Sequence, residues 1–170
     1  MKKVRTKKIV IVASVAVLVI AACLFYSRPK TVSQLYPMFT LDKCTEIRGY
    51  YIDTQPGMTE YTIEKDSDEF QKLCALFWEQ EYCRSLRDIL PRGTRTYQTQ
   101  PDDPNDYQWD VYFCFEDITL PDGSIGSGAM LHFQSWYGEL DIYFDGETYS
   151  CYTGDQEVWA KEILEIIQQI

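Results

Sequence analysis

The chain has 170 residues and a formal net charge of −10, but the charge is sharply divided. The first thirty residues hold seven Lys or Arg and no acid, whereas residues 31–170 hold nine Lys or Arg against 26 Asp or Glu, a formal −17. That acidic field repels phosphate backbones and excludes nucleic acid as a partner. Twelve tyrosines, four tryptophans and seven phenylalanines in the same part exclude a disordered stalk, and its length suits one core.

The first element runs from Ile9 to Tyr26, IVIVASVAVLVIAACLFY, with Ser14 as its only clearly polar residue. Five cationic side chains precede it and Arg28 and Lys30 follow. As a helix it spans roughly 27 Å, and the basic residues before it would stay in the cytoplasm. Residues 1–30 are therefore expected to be a cytoplasmic basic tip and a transmembrane anchor or signal. Residues 31–170 are expected to form a single extracytoplasmic domain, held at the cell membrane and monomeric. Within this run, Ile20-Ala21-Ala22-Cys23 resembles the bacterial lipoprotein signal motif, which implies lipidation of Cys23. The Leu-Phe-Tyr that follows departs from the small polar residues of that pattern.

Residues 27–40 read as a linker, with Pro29 and Pro37 breaking any long helix. In TEIRGYYID, Thr45, Ile47, Gly49 and Tyr51 fall on one side of a strand and Glu46, Arg48, Tyr50 and Ile52 on the other. Gln55-Pro56-Gly57-Met58 signals a turn, and Glu60 to Glu64 a second strand able to pair with the first. Asp66 and Glu69 have capping-box spacing at a helix start. Phe70, Leu73, Cys74, Phe77 and Trp78, then Leu86 and Ile89, give that helix an apolar stripe, with a break indicated near Glu81 to Arg84 and an end before Pro91. Thr94 to Gln100 alternates as an exposed strand. In the following PDDPND, Asp102, Asp103, Asn105 and Asp106 are candidate calcium ligands, although the EF-hand glycine and distal glutamate are missing.

From Tyr107 the pattern is strand. Trp109, Val111, Phe113 and Phe115 share one face, and Asp110, Tyr112, Cys114 and Glu116 the other. Strands over Gly126–Trp136, about Leu140–Phe144 and Glu147–Tyr152 complete an antiparallel meander, with Asp145-Gly146 as a hairpin turn. Thr153 and Gln156 then have capping-box spacing, and Trp159, Ile163, Ile166 and Ile170 stripe a last helix that should cover the apolar side of the meander. The fold class is α+β: an antiparallel sheet of four or more strands with helices packed against it, preceded by a transmembrane or lipoprotein-type signal helix.

Chemistry is sparse. His132 is the only histidine; a pairing with Cys114 or Cys151 is conceivable, but neither thiol sits at a helix N-terminus or a sharp nucleophile turn. Ser124 and Ser127 lie in a glycine-bearing loop that lacks the nucleophile elbow and the phosphate loop. Glu139 and Asp141 share a strand face, as some acidic pair must among so many acids. No Cys-x-x-Cys pair appears, Cys114 and Cys151 are the pair of cysteines able to meet, and no cofactor is expected. The tyrosine-rich face carrying Tyr112, Tyr143 and His132 is the candidate binding surface. The sequence thus points to a membrane-tethered, non-catalytic binding domain with a cell-envelope or secreted protein partner. An extracytoplasmic hydrolase and a purely structural envelope component are the competing classes.

Overall fold

The computed structural model describes residues 2–52, 57–83, 108–120, 122–136, 139–144, 147–151 and 156–170. Among them, eight strands make one antiparallel sheet. The strands are β1 (Lys30–Thr31), β2 (Cys44–Ile52), β3 (Met58–Glu64), β4 (Glu81–Cys83), β5 (Gln108–Phe115), β8 (Ala129–Trp136), β9 (Glu139–Phe144) and β10 (Glu147–Cys151). Their order is β1-β4-β10-β9-β8-β5-β2-β3. Two further short strands, β6 (Ile118–Thr119) and β7 (Ile125–Gly126), pair with each other in the connection between β5 and β8. The helices are α1 (Lys2–Tyr26), the single turn α2 (Val32–Leu35), α3 (Asp68–Trp78) and α4 (Gln156–Ile167).

The α+β class and the antiparallel meander hold; the N-terminal anchor does not. Helix α1 forms, yet among the described residues no helix is long and apolar enough to cross a membrane. This overturns the transmembrane or signal helix expected over 9–26. The cell-membrane localisation, the extracytoplasmic tether and the envelope or secreted partner rested on that helix and fall with it. Cys23 is a free thiol inside the last turn of α1, where its carbonyl accepts from the Ser27 amide (3.0 Å) and hydroxyl (2.9 Å). It carries no lipoprotein feature beyond the four-residue resemblance, so the lipid anchor is not retained.

The supposed linker is also part of the fold. Val32, Tyr36 and Phe39 are buried, and β1 pairs with β4. Helix α3 begins one residue later than the spacing suggests. Asp66 takes a left-handed backbone (φ 74°), and Ser67 becomes the cap, its hydroxyl accepting from the Phe70 amide at 3.1 Å. The helix stops at Trp78, just before the break indicated near Glu81 to Arg84, and residues 84–90 lie outside the described ones. Tyr82 is the reason for the stop: it is fully buried in β4, its hydroxyl donates to the Phe77 carbonyl (2.9 Å), and β4 slots between β1 and β10. Cys74 and Cys83 therefore do not share a helix. The strand expected over 94–100, the proposed cap at Thr153 and the turn at 145–146 lie outside the described residues.

The inner sheet face is closed by α3 and α4 around Phe77. Its ring meets Phe133 at 4.3 Å, Phe113 and Trp159 at 5.4 Å, and Trp109 at 5.9 Å. Trp159, Ile163, Leu164 and Ile167 of α4 are buried, and the Trp109 indole latches that helix by donating to the Ala160 carbonyl at 3.1 Å. Strand β2 reaches this face through a bulge: the register shifts between Cys44 and Glu46, so Cys44 and Ile47 are both buried while Thr45 instead donates to the Cys114 carbonyl (3.3 Å). That extra residue defeats a simple alternation read across Thr45. With both packed helices on one face, the other face of β2, β5 and β8 carries the polar side chains.

Candidate functional site

On this outer face the β2–β5 register sets Tyr50 opposite Asp110 and Arg48 opposite Tyr112, while β8 brings Gln134 opposite Asp110 and His132 opposite Tyr112. The register is locked by the inner face, where Ile47 meets Phe113 and Val111 meets Phe133; a one-residue slip would turn these into solvent. Side chains two positions apart on facing strands lie within reach of each other. His132 uses that diagonal to reach Asp110.

Asp110 is the centre. It is only 2% exposed, in the middle of an otherwise aromatic strand. Its carboxylate Oδ1 is bonded to Nε2 of His132, and Tyr50 faces Asp110 across the β2–β5 register. Tyr50 and Tyr112 stand two positions apart on facing strands of the same face. The Tyr112 ring stacks flat on the His132 imidazole, centroids 4.3 Å apart and planes within 10°. The Tyr61 hydroxyl donates to the backbone carbonyl of Asp110 at 2.9 Å. A buried carboxylate needs such partners, because an unpaired charge in this position would cost several kcal/mol, on the order of 3–5.

Gly49 makes room for Tyr61. A Cβ at position 49 would run into the Asp110 carbonyl oxygen and the Tyr61 hydroxyl, so only glycine lets that ring lie across the strand.

Beside the network, between β2, β3 and β5, lies an open groove of about 400 Å³. Tyr50, Tyr112, Arg48, Glu60 and Thr62 line it from the outer face, over the backbone of Gly49 and Tyr61. Arg48 is ion-paired with Glu46 on its own strand, although its side chain stays 61% exposed. The three phenols all titrate above the usual tyrosine range. Burial is the first cause for each, and the Asp110 charge adds to it. They remain neutral hydroxyls at any physiological pH, able to donate or accept.

The residues singled out from sequence separate here. Tyr112 and His132 belong to one network, and Tyr143 stands opposite His132 in the β8–β9 register, its side chain outside what is described. Asp102, Asp103, Asn105 and Asp106 lie outside the described residues. Among those described, no group of three or more His, Cys, Asp or Glu side chains could hold a metal. The partner of His132 is Asp110, not Cys114. A bond between Cys114 and Cys151 is excluded by strand order: β8 and β9 separate β5 from β10, about 14 Å at ~4.8 Å per strand, and Cys114 is a free thiol. Burial pushes the Cys44 and Cys74 thiols up to about 12 and raises that of Cys114, the opposite of an activated nucleophile. Ser124 is spent within its turn, its amide and hydroxyl donating to the Asp122 carboxylate at 2.9 and 2.6 Å. The side chains of Glu139 and Asp141 lie outside what is described.

Asp110, Tyr50, Arg48 and Glu60 were missed as site residues. The available signal was Asp110 itself: an acid at the centre of QWDVYFCF must either face water or find partners. Compared with protein-family models, with curated proteins and with solved structures, the chain gives no match.

Proposed function

We propose that the outer sheet face is a binding site for a small polar ligand, seated in the groove between β2, β3 and β5. The Tyr50 and Tyr112 hydroxyls would read the ligand, and His132 would act as a positioning residue through its stacking on Tyr112 and its bond to Asp110. The observation that carries this reading is a groove of about 400 Å³ walled by Tyr50 and Tyr112, beside a buried carboxylate bonded to His132. The volume suits a small molecule, and convergent polar groups are what give such sites orientation. Holding β2, β5 and β8 together does not require this arrangement, since apolar cross-strand pairs of similar size would serve at no desolvation cost. Enzyme chemistry gains no support from the raised thiols or from the engaged serine.

The test is a fragment screen read by amide NMR shifts on the full chain. Binding at the site moves the amides of Arg48, Tyr50, Thr62 and Tyr112 together and saturably, and Tyr112→Ala abolishes that response while the remaining spectrum stays folded. Fragments that bind only elsewhere, or a groove response that survives Tyr112→Ala unchanged, would remove this surface from consideration.

A further inference from the structure

We infer that the ligand of this groove is a small organic cation, an ammonium or guanidinium on a short body. This rests on the reading of the groove as a binding site and adds the charge class of its occupant.

Three observations converge. First, the charges that line the groove do not cancel. Arg48 is neutralised by Glu46. Glu60, exposed on β3 at the groove wall, has no ion-pair partner among the described residues. Second, the Asp110 carboxylate sits behind the tyrosine wall, shielded from water at 2% exposure. A shielded charge keeps more of its reach than a solvated one, because the intervening medium screens it less. The two groove tyrosines respond to it: after burial, Asp110 is a shared reason that Tyr50 and Tyr112 hold their protons more tightly. The potential that disfavours a phenolate in the groove favours a cation there. Third, the walls are phenol rings, whose faces attract an ammonium or guanidinium. The acidic balance of residues 31–170 adds steering at longer range.

An anionic ligand meets the reverse of each condition. A neutral polyol would use the hydroxyls but gain nothing from Glu60 or from the buried carboxylate.

Three isosteres of matched length separate the classes on the full chain: 1,4-diaminobutane, 1,4-butanediol and succinate. The expected result is that diaminobutane moves the amides of Arg48, Tyr50, Thr62 and Tyr112 saturably, that succinate does not, and that butanediol binds more weakly than the diamine. Glu60→Gln should weaken the diamine about three- to fivefold, whereas Glu165→Gln, the same charge change on an exposed position of α4, should leave it unaltered. Raising salt from about 20 to about 200 mM should weaken the diamine and leave butanediol unaffected.

Equal losses in the two Gln variants would mean diffuse attraction to an acidic protein and would overturn the inference. Butanediol binding in the groove as tightly as the diamine would also overturn it, while leaving the groove as a binding site. If neither these probes nor any screened fragment moves the groove amides, both readings fall.

Discussion

The two faces of one strand differ less in burial than in how they are satisfied. Trp109, Val111, Phe113 and Phe115 of β5 point to the inner face and are fully buried; Gln108, Asp110 and Cys114 on the outer face are 7, 2 and 8% exposed. Alternating polarity along β5 is therefore not alternating exposure. The inner face is held by contact between rings, which is non-directional and tolerates shifts in small steps. The outer face is held by hydrogen bonding on one carboxylate, which is directional and fails when that carboxylate is lost. A face of the second kind can hold side chains in fixed positions for a ligand; a face of the first kind supplies the stability that this requires.

Phe77→Ala should give the largest effect. Its ring touches four other aromatic side chains and has no exposed surface. Its removal should cost about 3–5 kcal/mol in urea unfolding. A loss below ~1 kcal/mol would mean that α3 does not close the inner face. Asp110→Ala comes next, at about 2–3 kcal/mol, because His132 loses its buried carboxylate partner. The two variants should also differ in kind. Phe77→Ala should broaden signals on both sides of the sheet, whereas Asp110→Ala should confine its shifts to β2, β5 and β8. Delocalised shifts in Asp110→Ala would erase the distinction between the faces.

Alkaline pH separates the faces by a third route. Cys44 and Cys74, both buried on the core side, have thiols raised from 9.0 to about 12, by burial first and by a neighbouring cysteine second. Their folded values lie above their unfolded ones, so the native state keeps protons that the unfolded chain releases. Their contribution to stability is complete below about pH 9 and is lost as pH rises toward 12. The urea midpoint should accordingly fall across that window, and at pH 8 both thiols should resist an aromatic disulfide reagent until the chain unfolds. Prompt labelling of Cys74 in the native protein would show that the inner face admits solvent.

What was legible in the sequence follows this same division. The inner face of β5 could be read from Trp109, Val111, Phe113 and Phe115, and the buried side of α4 from Trp159 and Ile163, because apolar periodicity is a local signal. The placement of β4 could not be read. Its three residues are too few for a period, and Tyr82 is fixed by partners at Lys30 and Cys151, both far away in sequence. The anchor reading of 9–26 came from one apolar run and the cations that flank it, and no described helix reaches the length and apolarity it required. The site was half legible for a similar reason. Asp110 and Tyr112 were visibly on one face, but the register between β5 and β8 is set across the intervening β6–β7 hairpin, so the partner of His132 was hidden. Tyr50 was hidden in the same way by the Cys44–Glu46 bulge, which obscured which side of β2 faces out.

The smallest predicted effect is the most discriminating. Tyr112→Phe keeps the ring that stacks on His132 and removes one hydroxyl at the groove wall. Asp110 keeps its bond to His132, so stability should fall by no more than about 0.5–1.5 kcal/mol, the usual net value of one hydrogen bond. The half-exposed position of Tyr112 lets water take the place of the lost hydroxyl and favours the lower end of that range. Ligand binding should respond differently. A hydroxyl that reads the ligand is lost at the groove wall while its shape is kept, so a groove-binding fragment should weaken severalfold with little change in the unfolding midpoint. Were Tyr112 only a strut of the outer face, Tyr112→Phe would lower the midpoint slightly and leave fragment affinity where it was. Parallel urea and NMR titrations of this one variant decide whether the outer face is built for stability or for recognition.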